Sequence, residues 1–494
     1  MNQQFPALII IVPLIVALVI TIVGWLNKKW CFPLALAGLT IPLFVAVGLL
    51  LEVLEKGVIT YHLGGWRPPM GIEYRIDHLN GLVLLVIFSV ALLNLIASRE
   101  KILAEFPEKA GAFYGLSLLF VAGLAGITIT GDAFNLYVLL EITALSGYAL
   151  IGMGNKHAPL AGLHYLIMGT IGASFYLLGV GFLYLMTGTL NMVELSQMLP
   201  AFYSSRVVVF AFFFCLIGLF IKMAMFPVHG WLPNAYSYMP TAASGLIAAL
   251  TTKVMIYVMI RISLLVFTPS FVFVNTLLTS AMVWLAVIAI VAGSILALAQ
   301  KSLTRMLTFI IVAEVGYMVG GFWLGNRDGI TGSVLHIVND AAMTLCLFLA
   351  VGSIRFRLKS DRFSDLNGLF RTMPFTMIAF VVGGLSIIGV PPTCGFFSKW
   401  YLIKGGLAAG SYEFVAALLF SSLINVILFF RIIEISFFNP QSGGKNDDHT
   451  IPAASGINEA PLGMVATSLI SATSLIVLGL YTNVLVGRVI QFVL

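Results

Sequence analysis

Apolar residues in this chain run in stretches of about twenty, separated by short polar intervals, instead of alternating with the period of a half-buried strand. A helix rises about 1.5 Å per residue, so about seventeen or more mostly apolar residues suffice to cross the hydrocarbon of a bilayer. About fourteen such segments are expected, starting near Phe5, Phe32, Leu79, Ala112, Ala133, Ala161, Val207, Ala242, Val272, Met306, Ile330, Met373, Tyr412 and Leu462. The pattern predicts an all-α, polytopic membrane protein that forms a single integral membrane domain over residues 1–494. The longest polar interval, Asn439 to Pro461, reads as a solvent loop. Two others, Lys56 to Asp77 and Asn191 to Arg206, are expected along the membrane surface.

Two segments are punctuated. The seventh contains Pro227 and Gly230, and the twelfth contains Gly389, Pro391, Pro392 and Gly395. Proline removes an amide donor and opens the helical ladder, which lipid tolerates only where protein or water satisfies the freed backbone. Both helices are therefore expected to be broken and to face a wet interior. Broken helices in corresponding positions of two halves point to a transporter built from inverted repeats. The repeats are placed at segments four to eight, residues 112–267, and nine to thirteen, residues 272–438.

Composition agrees with the pattern: 60% of residues are hydrophobic and 9% are charged. The net charge of +6 then bears on orientation and not on nucleic acid. Lysine and arginine are concentrated in the odd-numbered loops, most densely from Arg355 to Arg371, which places those loops in the cytoplasm and both termini on the outer face. The first segment lacks a basic stretch before it and reads as a retained helix. Cys31, Cys215, Cys346 and Cys394 are isolated, so no metal or iron-sulfur site is expected, and no phosphate loop or dinucleotide fingerprint occurs. No cofactor is expected, and the chain itself reads as a transport subunit without catalysis of its own.

The candidate chemistry lies in charges that sit deep in apolar segments, where each costs at least roughly 2.5 kcal/mol and a function is the default reading. Glu141, Lys222 and Lys253 are the deepest, and Lys399 follows the break in the twelfth segment. If Glu141 approaches Lys222, each holds the other's charge, and separating them favours proton release, which makes a switch without a cofactor. A static ion pair is the competing reading. His229 at the first break and His336 in the eleventh segment can relay protons, and Glu314 and Asp340 are further buried carboxylates. Asp132 reads as a helix cap, and Arg261 as a backbone or lipid anchor.

The runs GDAFNLYVLLEITALSGYALIG, FIKMAMFPVHGWLPNAYSYMPTAASGLIAALTTKVMIYVMIRI and GVPPTCGFFSKWYLIKG resemble the antiporter-like subunits shared by respiratory complex I, Mrp-type cation/proton antiporters and membrane-bound hydrogenases. LGGWRPPMGIEYRIDHLNGL and the overall length look most like the D subunit of the Mrp type. Lys399 argues against the complex I subunit whose matching residue is a glutamate. The resemblance implies a fourteen-helix subunit of a bacterial or archaeal inner-membrane complex, with Glu141, Lys222, Lys253 and Lys399 along a horizontal proton path. It also exposes a departure. Relatives usually carry a histidine pair and then a lysine in the eleventh helix, where this chain has Asn339, Asp340 and Thr344, and the usual glutamine of the tenth helix is Glu314. Either Asp340, Glu314, His336 and water replace the missing bridge, which is the favoured reading, or the subunit does not run the usual path from end to end; restoring a lysine at position 344 is expected to perturb the path less than loss of the Asp340 charge if Asp340 pairs with it.

The function expected first is a subunit exchanging sodium or another monovalent cation for protons in an Mrp complex, with other membrane subunits and lipid as partners. The alternative is the proton- or sodium-pumping module of a redox complex related to membrane-bound hydrogenase or NADH:quinone oxidoreductase. A weaker alternative is a scaffold that does not transport.

Overall fold

A computed structural model describes residues 4–438 and 456–493. The first six long helices are α1 (Phe5–Leu26), α2 (Cys31–Lys56), α3 (His78–Glu105), α4 (Ala110–Ile129), α5 (Ala133–Gly152) and α6 (Ala158–Thr187). A short α7 (Met192–Met198) leads to α8 (Arg206–Lys222) and α9 (Leu232–Tyr238), and α10 (Thr241–Arg261) continues into a π-helical turn. After α11 (Pro269–Val272) come α12 (Thr276–Leu298), α13 (Leu303–Trp323) and α14 (Arg327–Leu358). The chain closes with α15 (Leu369–Thr372), α16 (Pro374–Ile388), α17 (Cys394–Ala408), α18 (Tyr412–Phe438), α19 (Leu462–Leu480) and α20 (Thr482–Arg488).

Twelve of these spans are long and apolar enough to cross a membrane. The seventh and twelfth expected segments are each split, into α8 with α9 and α16 with α17. Every expected segment start lies within about four residues of a helix start. The protein is an all-α, multi-pass membrane protein of twelve to fourteen crossing helices.

The centre of the bundle is made of helices that are buried all round. Every residue of α10 is buried, and every residue of α13 except Arg305. Such helices need no amphipathic stripe, because neighbours cover every side. The outer helices instead expose large apolar side chains, among them Phe44 and Leu185.

The intervals are more structured than their polarity suggests. Residues 57–77 fold into an antiparallel strand pair, β1 (Ile59–His62) and β2 (Glu73–Ile76), in the register Ile59 to Ile76 and His62 to Glu73. Asp77 then caps α3, accepting from the amides of Leu79 and Asn80 at 3.1 and 3.2 Å. Arg261, expected as an anchor, instead forms an ion pair with Asp77. Burial alone would raise the Asp77 carboxyl, but the guanidinium of Arg261 and the Asn80 amide hold it below the usual carboxylate range. Asp132 is the cap of α5, accepting from the Asn135 amide at 2.7 Å.

Most of the expected solvent loop, residues 439–455, lies outside the described residues. Its end docks onto the protein. The Glu459 carboxylate accepts from the amides of Phe375 and Thr376, at 2.7 and 3.1 Å, and so caps α16 from a distance in sequence.

Candidate ion-translocation site

A lysine stands beside each helix break. Helix α8 stops at Lys222, where the chain turns through Ala224 in the left-handed region (φ 59°), and the Trp231 indole donates to the freed Ile221 carbonyl at 3.0 Å. Helix α16 stops at Ile388, and Gly389 follows with φ 94°. A side chain there would be strained, and its first carbon would sit 3.2 Å from the Lys399 side chain. The freed carbonyls are used at once: Lys399 Nζ donates to Ile387 O at 2.7 Å and Ile388 O at 3.4 Å, and to Ser422 Oγ at 3.0 Å. The negative end of a half-helix thus holds an ammonium group. The ammonium also lies over the Tyr317 ring, 5.1 Å from its centre.

Three acid–base pairs accompany the breaks. Lys222 faces Glu141 of α5 at 3.5 Å. Lys253 of α10 meets Asp340 of α14 at 3.0 Å, and its ammonium also donates to Thr344 Oγ1 at 3.2 Å and Ala248 O at 3.3 Å. The Thr344 hydroxyl donates to Asp340 Oδ1 at 2.9 Å, closing a triangle. One turn earlier on α14, His336 Nε2 bonds Glu314 of α13, and its Nδ1 lies 2.8 Å from Ser398 Oγ. Ser398 neighbours Lys399 in sequence. Carboxylate, imidazole and hydroxyl therefore lead from α13 to the residue beside the terminal lysine.

Burial sets what these groups can do. Lys253, Asp340, Glu314 and His336 are essentially inaccessible, whereas the Glu141 side chain keeps 25% exposure. Glu314 Oε1 is buried with no protein partner.

His229 is placed apart from these pairs. It stacks on Phe226 and lies against Phe309, with ring centres 5.1 and 6.3 Å away. Sequence reasoning passed over Thr344 as only a missing lysine, and it passed over Ser398, Tyr317 and Ser422. The signal for Thr344 was available: His336, Asp340 and Thr344 recur every four residues and share one face of α14. Among the described residues no cluster of histidine, cysteine, aspartate or glutamate is arranged to hold a metal ion.

The fold and the row of buried pairs define an antiporter-like membrane subunit. The model of the NADH:quinone oxidoreductase/Mrp antiporter transmembrane family matches residues 130–425, and the chain belongs to that family. It is 42% identical over 498 residues to the N subunit of the NADH-quinone oxidoreductase of Desulforudis audaxviator, covering 100% of this chain and 99% of that protein. It is 30% identical over 407 residues to the D subunit of the Na(+)/H(+) antiporter of Bacillus subtilis, covering 82% of this chain and 81% of that one. Among solved structures it superposes on a chain of the membrane-bound sulfane sulfur reductase, an archaeal respiratory membrane complex, with a TM-score of 0.87, 29% identity and coverage of 100% and 97%.

Proposed function

We propose that this chain is the proton-translocating subunit of a multisubunit, redox-driven membrane complex of the NADH:quinone oxidoreductase kind. The observation that carries translocation is the row of buried pairs, Glu141 with Lys222, Lys253 with Asp340 and Glu314 with His336, ending at Lys399. The redox setting rests on end-to-end similarity to an N subunit of that oxidoreductase, which is higher and more complete than the similarity to a D subunit of the Mrp type. The Mrp-type sodium/proton antiporter expected from the sequence becomes the second reading. Lys399 tells against one complex I subunit and leaves the others open.

In this reading the Glu141–Lys222 pair is the gate. Opening it releases a proton from Lys222, which passes by Lys253 and Asp340 to His336 and Glu314, and then to Lys399. Asp340 takes the place of the usual central bridge, and Thr344 positions it. The two halves, 112–267 and 272–438, act as inverted repeats, and the lysine-rich loops and both termini take the orientation expected in a cell inner membrane. His229 has no assigned step.

The test is proton flux in vesicles carrying the whole complex, with the proteins that co-purify identified. Quinone-dependent flux with redox subunits supports this reading. Sodium-driven flux with small antiporter subunits would favour the second. Purified alone, the chain is expected to move no protons, because nothing drives its gate.

A further inference from the structure

At the end of the bundle assigned to the cytoplasm by its lysine and arginine bias, a cavity of about 950 Å³ opens between the α12–α13 turn, the α14–α15 loop and α18, with Asn155 of the α5–α6 turn and Tyr238 at the end of α9 on its other side. Lys301, Arg305, Arg355, Arg362 and Arg431 line it, and Asp361 is its single carboxylate. Asp361 is already committed. Its Oδ2 accepts from Ser302 Oγ at 2.8 Å and from the Thr304 amide and hydroxyl at 3.0 and 2.5 Å, fixing the start of α13. None of the five basic side chains forms an ion pair among the described residues. The Arg305 Nε is buried without a hydrogen-bond partner. Glu105 lies within electrostatic reach of Arg355 and Asp365 of Arg362, but neither lines the cavity, and five like charges around it leave a positive potential that an anion relieves.

The surroundings say what kind of anion. Helix α12 exposes Trp284, Ile288, Ile295 and Leu298 on one face, and that face runs down to Lys301. Helix α18, which packs against α12, exposes Leu423, Ile427 and Phe430, the last immediately before Arg431. Two apolar faces of membrane-crossing helices therefore end at the cationic cavity. A molecule that satisfies both parts has long apolar chains and an anionic head.

We propose that this cavity seats the phosphate headgroup of an anionic phospholipid of the adjacent leaflet, with its acyl chains along α12 and α18. The lipid neutralises the junction between α13, α14 and α18, and so acts on the helices that carry Glu314, His336 and Asp340.

The experiment is native mass spectrometry of the purified complex exchanged into micelles containing phosphatidylglycerol, cardiolipin or phosphatidylcholine, each with and without excess inorganic phosphate. The wild-type complex should retain the two anionic lipids and not phosphatidylcholine. The triple variant Lys301→Gln, Arg362→Gln, Arg431→Gln should bind them on the order of a hundredfold more weakly, while Lys301→Arg, Arg362→Lys, Arg431→Lys should keep them. If the triple variant does not assemble, Arg431→Gln alone on exposed α18 should show a several-fold loss. Equal retention by the glutamine variants, or equal binding of phosphatidylcholine, overturns the proposal. So does binding of inorganic phosphate with no lipid retained, or cross-linking from position 301 to a partner protein in place of lipid.

Discussion

Two ion pairs, one within the first half of the chain and one joining α10 to α14 across the halves, differ in how tightly they are held. Glu141 and Lys222 stand 3.5 Å apart, with one partner a quarter exposed and no third group binding them. Lys253 and Asp340 stand 3.0 Å apart, wholly enclosed and tied by Thr344 to both. A pair with one partner in partial contact with solvent is opened by a neighbour at less cost than a triangulated, wholly enclosed pair, whose opening leaves both charges unsolvated. In the proposed path the first pair serves as the gate and the second as a clamp.

Breaking the clamp should have the largest effect. Asp340→Asn keeps the shape but leaves Lys253 without a counter-charge, which costs roughly 3 to 5 kcal/mol in buried pairs. Proton flux should vanish and thermal unfolding of the complex should come markedly earlier. Normal flux in this variant would place the central route elsewhere. Breaking the gate should separate the two readouts. Glu141→Gln and Lys222→Ala should abolish flux, with the glutamine variant nearly as heat-stable as the parent, since Glu141 is partly solvated. Wild-type flux in Lys222→Ala would end the gate proposal.

Thr344 sharpens the contrast. Thr344→Val keeps both charges of the clamp but removes two hydrogen bonds, at about 1 kcal/mol each, and should slow flux partially. Thr344→Lys, tolerable by family pattern, should instead be damaging, because the position is buried between Lys253 and Asp340 and a second ammonium would crowd the same carboxylate. Rapid flux in that variant would show that the triangle can be rebuilt.

The smallest effect on flux is expected outside the row. Asp77→Asn removes the ion pair with Arg261 and should lower thermal stability while leaving flux near normal, which controls for the loss of any buried pair. The folded-state value of Asp77 is depressed, so its contribution is present above the ordinary carboxylate value of about 3.9 and is lost as pH falls through the lower folded value. A stability difference between Asp77→Asn and the parent that persists unchanged at still lower pH would contradict this sign.

Helices were legible because a bilayer demands about twenty apolar residues per crossing, and proline and glycine mark where two of them stop. The strand pair over residues 59–76 was missed because each strand has only four residues. The deep charges could be picked out one at a time, since each violates its surroundings. Glu141 was set against Lys222, but the partner of Lys253 was not found, because pairing Lys253 with Asp340 spans α10 to α14, and that packing is long-range. Arg261 was misjudged for the same reason: Asp77 lies 184 positions away. Where the partners share a helix, as Asp340 and Thr344 do, spacing alone would have been enough.

Helix α14 carries the basic member of one pair, His336, and the acidic member of the next, Asp340, one turn apart on the same face. As a rigid body it cannot twist about its axis or slide along it without displacing both pairs. In the proposed path, independent timing of the two steps then rests with the facing side chains on α10 and α13, swinging about their own bonds against a fixed rail. An inhibitor or cross-link that locks α14 to either neighbour would stall both transfers together.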